Sequence, residues 1–204
     1  MKKRGLTPLV EKTRSTSRLT WRNSLMGFTL VETLVAISLL SIAVVAPMSL
    51  ASQSLAAAYY SRDQIAAYHF AQEAVEAVRS IRDGQILQVA QDTTGTPINT
   101  FGFIPTNNEP FTVDARKADP SEAIAPCPVD GCPPLQTDGT LYGYELGWAP
   151  TYFTRTVRAS FVGGLQEELR VTVTITWKTG AFKIRTFNIS ANLYRWLPDG
   201  LNQT

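Results

Sequence analysis

Charge is missing where this chain is most apolar: between Glu32 and Arg62 there is no Asp, Glu, Lys, Arg or His. Histidine is nearly absent throughout, with His69 alone among 204 residues, and cysteine occurs only as Cys127 and Cys132. So few imidazoles and thiols leave a four-ligand zinc site short of donors, and no metal or cofactor is expected. No nucleophile can be paired with His69, and the sequence has neither a Gly-rich phosphate loop nor a dense carboxylate cluster, so an enzyme lacks its catalytic set. His69 is read instead as a half-buried packing residue on a helix. A basic surface is missing as well. Residues 1–27 carry seven Lys/Arg against Glu11, a local +6 within a net +2, which leaves the remainder at −4. The basicity belongs to the first residues, and no nucleic-acid surface follows from it.

What is present begins with Phe28 to Leu50, an apolar run of membrane length headed by the single acidic residue Glu32. About 20 apolar residues suffice for a helix to cross the hydrocarbon core. A carboxylate within such a segment costs several kcal/mol unless something offsets it, which makes Glu32 a candidate functional residue. The basic residues 1–27 precede the run and keep their side in the cytoplasm by the positive-inside rule, placing the C-terminal part across the membrane. A secretory signal peptide puts its small-residue cleavage site after the apolar stretch. Here the small residue, Gly27, comes before it, so a cut at Gly27 leaves the apolar segment on the mature chain. Pro47 removes one helical hydrogen bond and is expected to bend or loosen the helix nearby.

Helical composition continues from Ala51 to Asp83, and Gly84 reads as the residue that stops the helix. Ile65, Tyr68, Val75, Val78 and Ile81 recur at spacings that fit one face. Glu76–Arg79 and Arg79–Asp83 fall at paired positions on the other side. Residues 84–150 hold nine prolines and read as irregular loop with one or two short strands. Within it, Cys127-Pro-Val-Asp-Gly-Cys132 reads as a turn clipped by a local disulfide if the domain lies outside the cytoplasm. A redox pair is the alternative, against which stands the absence of Cys-x-x-Cys spacing. Residues 151–197 carry the clearest strand signal. A strand from Tyr152 to Val162 breaks at Gly163-Gly164, Leu169 to Trp177 alternates strictly, and a third strand runs from Phe182 to Tyr194. The apolar parity of that third strand changes between Ile184 and Phe187, which predicts a bulge or twist. Three such strands need a cover, and the helix face from Ile65 to Ile81 is the obvious one. Residues 198–204 form a tail.

Gly27-Phe28-Thr29-Leu30-Val31-Glu32 followed by an apolar helix resembles the N-terminus of type IV pilins and pseudopilins. In that family a basic leader ends in Gly, the mature chain starts with Phe or Met, and its fifth residue is Glu; Gly27, Phe28 and Glu32 match. The stretch from Ala71 to Asp83, the strand Val171 to Trp177 and the terminal Arg195-Trp196 resemble the minor members. Residues 84–150 hardly match. The chain departs from the pattern in its long leader and in Leu25-Met26 before the glycine.

The resemblance implies an α+β, pilin-like fold in which a long N-terminal helix, membrane-spanning in its first half, packs on a C-terminal antiparallel sheet. It implies a structural subunit cut between Gly27 and Phe28 by a prepilin peptidase, N-methylated at Phe28, and assembled through Glu32. Its partners would be membrane lipid before assembly, then other pilin or pseudopilin subunits and an inner-membrane assembly platform. Its location would be the cytoplasmic membrane, then a pilus, secretion pseudopilus or competence filament. A single-pass anchored β-domain acting as adhesin or sensor is the reading from another class.

Overall fold

The structure, a computed structural model, describes residues 27–92, 94, 98–164, 166–179 and 183–196. The leader before Gly27, the tail 198–204 and the expected strand start at Phe182 lie outside the described residues. One helix, α1 (Leu30–Gln91), is followed by β1 (Phe111–Val113), a one-turn α2 (Pro120–Ala123), β2 (Ile124–Pro126), β3 (Pro134–Thr137), β4 (Tyr142–Gly143), β5 (Ala149–Phe161), β6 (Glu168–Thr179) and β7 (Lys183–Tyr194). The chain divides into two compact units between Leu50 and Ala51.

The first unit is the apolar beginning of α1, long and apolar enough to cross a membrane. Pro47 lies inside α1 without interrupting it. The second unit is α+β, with α1 from Ala51 onward packed on an antiparallel sheet of seven strands.

β5 is the centre of that sheet. Along one edge it pairs with β6 from Phe153↔Trp177 to Phe161↔Leu169. The other edge is shared: β1 sits beside Val157, and β3 beside Thr154, Pro150 and Ala149. β2 then extends β1, and β4 extends β3. Segment 84–150 therefore supplies four strands, more than its composition suggested, because each is short and exists by pairing outward from β5. The β5–β6 connection passes through Gly163 at φ 77°, a left-handed conformation in which a Cβ is strained, as the Gly-Gly pair predicts.

β6 alternates as expected: Leu169, Val171, Val173, Ile175 and Trp177 are all buried, while the residues between them are not. β7 corrects its forecast. Its pairing with β6 runs unbroken from Glu168↔Tyr194 to Thr179↔Lys183, with no bulge. The parity change has a simpler cause, since Ile184 lies on the outer face and is exposed while Phe187 faces inward.

Two further corrections concern α1. It does not stop at Asp83 but continues through Gly84 to Gln91. A mid-helix glycine costs about 1 kcal/mol relative to alanine, and burial of Gln85 and Ile86 just beyond it keeps the helix going. The buried stripe is also displaced from the expected face. Val75, Val78 and Ile81 are in the core, but Ile65 and Tyr68 are exposed, and Ala67, Phe70, Ala71 and Ala74 take their place. Alanines let the helix backbone approach the sheet closely, so small residues rather than large ones mark the contact. On the far side Arg79 pairs with Glu76 as expected, whereas Asp83 pairs with its neighbour Arg82 at 2.6 Å.

One buried charge fastens these layers together. Arg155 on β5 is fully buried and donates to the carbonyl of Phe70 on α1 at 3.3 Å, to the carbonyl of Val113 on β1, and to Glu73 Oε1 at 3.2 Å. A guanidinium taken out of water needs such partners on several sides to offset its desolvation.

Candidate functional site

The N-terminal candidates are ordered by a helix cap. Gly27, Phe28 and Thr29 are not helical, and α1 begins at Leu30. Thr29 Oγ1 accepts the Glu32 backbone N–H at 3.2 Å, and the Thr29 carbonyl accepts the Thr33 N–H at 3.1 Å. Thr29 is therefore the N-cap and Glu32 the third helical residue. Thr-x-x-Glu is the capping-box pattern, in which the acidic side chain belongs near the positive end of the helix dipole. The spacing is legible in the sequence and marks the helix start two residues after Phe28. The cap fixes where Glu32 emerges, one turn from Phe28, a residue that is 78% exposed.

Every residue from Gly27 to Leu50 is exposed. The hydroxyls along this segment are turned back onto their own helix: Thr33 donates to the Leu30 carbonyl, Ser38 to Leu34 at 2.7 Å and Ser41 to Ile37 at 2.8 Å. Hydroxyls satisfied in this way can sit in hydrocarbon or against a neighbouring helix with little desolvation cost. Among the charged residues in this segment Glu32 stands alone. Its carboxylate is the one group there that calls for a partner of opposite charge.

Other sequence candidates lie elsewhere. Cys127 and Cys132 form a disulfide with a Cα–Cα separation of 4.6 Å. The loop turns through Gly131 at φ 113° and is tied to the sheet by the Cys127 N–H bonded to the Pro110 carbonyl at 3.0 Å. His69 is exposed rather than half-buried, its ring 5.9 Å from that of Tyr68. The turn of α1 that carries it points its neighbours Ala67 and Phe70 inward and His69 away. Among the described residues no group of three His, Cys, Asp or Glu could hold a metal ion.

A cleft of about 450 Å³ opens between the last turns of α1, at Gly84 and Gln88, and the 114–123 segment. Its charges are already paired. Arg116 binds Asp114 at 2.7 Å, Lys117 binds Glu145 at 2.7 Å, and the Arg116 guanidinium lies 4.4 Å from the Trp148 ring centroid. Burial pushes the Asp114 carboxyl up, but hydrogen bonds from the Arg116 side chain and from the backbone N–H groups of Arg116 and Tyr144 outweigh it and hold the group below the usual carboxylate range. A carboxylate held charged in this way braces a loop and makes a poor general base.

In comparisons with known proteins, no family model, curated protein or solved structure matches the chain.

Proposed function

We propose that this chain is a structural subunit of a type IV pilin-like filament, of the minor pilin or pseudopilin kind. One observation carries the reading. Gly27-Phe28 stands directly before a capped helix whose only charge over its first eight turns is Glu32, and whose first 21 residues are exposed. An uncovered apolar helix needs lipid or other helices around it, and a lone carboxylate at its head needs a cation.

Cleavage between Gly27 and Phe28 by a prepilin peptidase supplies both conditions. It removes the basic leader that holds this end at the headgroups, and it creates an α-ammonium at Phe28, which is then N-methylated. In the filament, Glu32 of one subunit pairs with the Phe28 ammonium of another. Such a pair, once desolvated, is worth having only in one geometry, so it selects the helix-to-helix register. Contacts of this head-to-tail kind do not close, and therefore propagate as a helix of subunits. Ala36, Ser38, Ala43 and Ala46 let the packed helices approach closely.

The cap gives Glu32 a competing, purely local role, and the test must separate the two. Incorporation into filaments is measured for Glu32→Ala, Glu32→Gln and Thr29→Ala in cells that carry the assembly machinery. The ion-pair account expects both Glu32 variants to lose incorporation at least tenfold, the factor for a loss of about 1.4 kcal/mol, while Thr29→Ala incorporates. Glu32→Gln assembling like wild type would show that the cap, and not the charge, is what matters.

A further inference from the structure

β7 is the last strand of the sheet, and among the described residues its outer edge has no neighbour. Natural edge strands are protected by prolines, bulges, short length or charge. β7 has none of the first three: it is twelve residues long, contains no proline, and pairs with β6 without irregularity. From Thr186 to Tyr194 it also lacks any charged residue. Its only cations, Lys183 and Arg185, are gathered at one end.

The inner face of β7 is half covered. Arg185, Phe187, Ile189 and Ala191 are each partly buried, and only Leu193 is fully so. Beside them α1 leaves Ile65 58% and Tyr68 42% exposed, with the Tyr68 ring 5.9 Å from that of Phe187. A hollow of about 290 Å³ lies at this junction, bordered by Ser61, Gln64 and the three apolar residues. One more strand along β7 would satisfy the open row of backbone groups. Its alternate side chains would cover Phe187, Ile189, Ile65 and Tyr68.

We propose that this edge takes the next strand from a different protein: an extended segment with apolar residues at alternate positions and an acidic residue at the Arg185 end. The acidic residue follows from charge. Arg185 has no carboxylate partner among the described residues; its guanidinium lies 4.7 Å from the Tyr60 ring centroid, and its buried Nε makes no hydrogen bond. A second copy of this chain fits less well. A second copy paired antiparallel keeps the apolar faces together but reverses α1, so that the two Ala51 ends, from which the apolar segments leave, point opposite ways. Paired parallel, it sets Thr186, Asn188 and Ser190 of one copy against Phe187 and Ile189 of the other.

The test uses the full chain in detergent micelles and a synthetic peptide long enough to lie along Arg185 to Leu193. The peptide carries valine and threonine in alternation and a glutamate at the end facing Arg185; a control of equal composition lacks the alternation. Hydrogen exchange of the β7 amides is the readout, since an added strand protects the outward-pointing half of them. Slowing of that half by the alternating peptide alone is expected. Phe187→Glu, which turns a charge inward on the edge, should weaken binding about tenfold or more. The paired change Ile65→Ala and Tyr68→Ala, on α1 rather than on the strand itself, should weaken it several-fold. The proposal is overturned if neither peptide slows exchange, or if both do so equally. Protection already present without peptide and lost on removing residues 197–204 would assign the edge to the tail. Protection that rises with protein concentration would assign it to a second copy, and either result overturns the proposal.

Discussion

Replacing Arg155 by alanine should be among the most damaging single changes in the second unit, and its cost can be divided into parts. The side chain is fully buried and reaches three acceptors on two other elements. Truncation empties the volume of a long side chain, for which buried large-to-alanine changes cost about 2–5 kcal/mol. It also leaves the Val113 carbonyl without its donor, worth about 1–3 kcal/mol when no water replaces it. Glu73 suffers less, because its side chain is 36% exposed and water can take over. These contributions overlap, so the expected total for Arg155→Ala is about 3–5 kcal/mol, the range for breaking a buried pair. Arg155→Met fills most of the volume and should cost only the orphaned acceptors, about 1–3 kcal/mol. Urea titration followed by tryptophan fluorescence is a suitable assay, since Trp177 is buried on the neighbouring strand. With a slope of about 2 kcal/mol per molar, the alanine variant should lose about 2 M in midpoint and the methionine variant about half that. A methionine variant as stable as wild type would show that the guanidinium is not what fastens α1 to β1 and β5.

Two further predictions test the fold from other directions. Gly84→Ala should stabilise by about 0.5–1 kcal/mol in the same titration, because the helix continues past Gly84 and a Cβ there meets open space; destabilisation would mean that Gly84 ends the helix in a left-handed conformation. Asp114 is held below its usual pKa, so it binds its proton more weakly folded than unfolded. Its stabilisation is complete above the unfolded value of about 3.9 and is lost as pH falls through the folded one. Asp114→Asn should therefore lower stability at neutral pH and flatten the acid limb of the stability profile, and an unchanged limb would contradict the assignment.

Much of this architecture is legible in the residues where one face is buried and the other wet. β6 shows it best, since every second residue is apolar and every one of those is in the core. The apolar first half of the long helix is equally plain, because no charge interrupts it between Glu32 and Arg62. The strands within 84–150 are hidden for a physical reason: runs of two to four residues, with Pro126 and Pro134 among them, carry no periodicity, and only the free edge of β5 calls them into being. Alanine conceals the helix contact in the same way, since Ala67, Ala71 and Ala74 carry little apolar surface yet sit where the backbone comes closest. Arg155 is concealed by its type. It occupies an inward position between Phe153 and Val157, where a reader of patterns expects an apolar residue and treats a charge as a surface one. At the N-terminus the residues themselves name the candidates, and the structure adds the Thr29 cap that orients Glu32.

The central claim is that the chain is processed at Gly27-Phe28 and used from Phe28 onward. The intact mass of the protein, purified from membranes of cells with an active prepilin peptidase, tests it directly. The account predicts a chain that begins at Phe28, with the added mass of one methyl group on its amino terminus. A mature protein that retains residues 1–27 would contradict it and leave a membrane-anchored β-domain in its place.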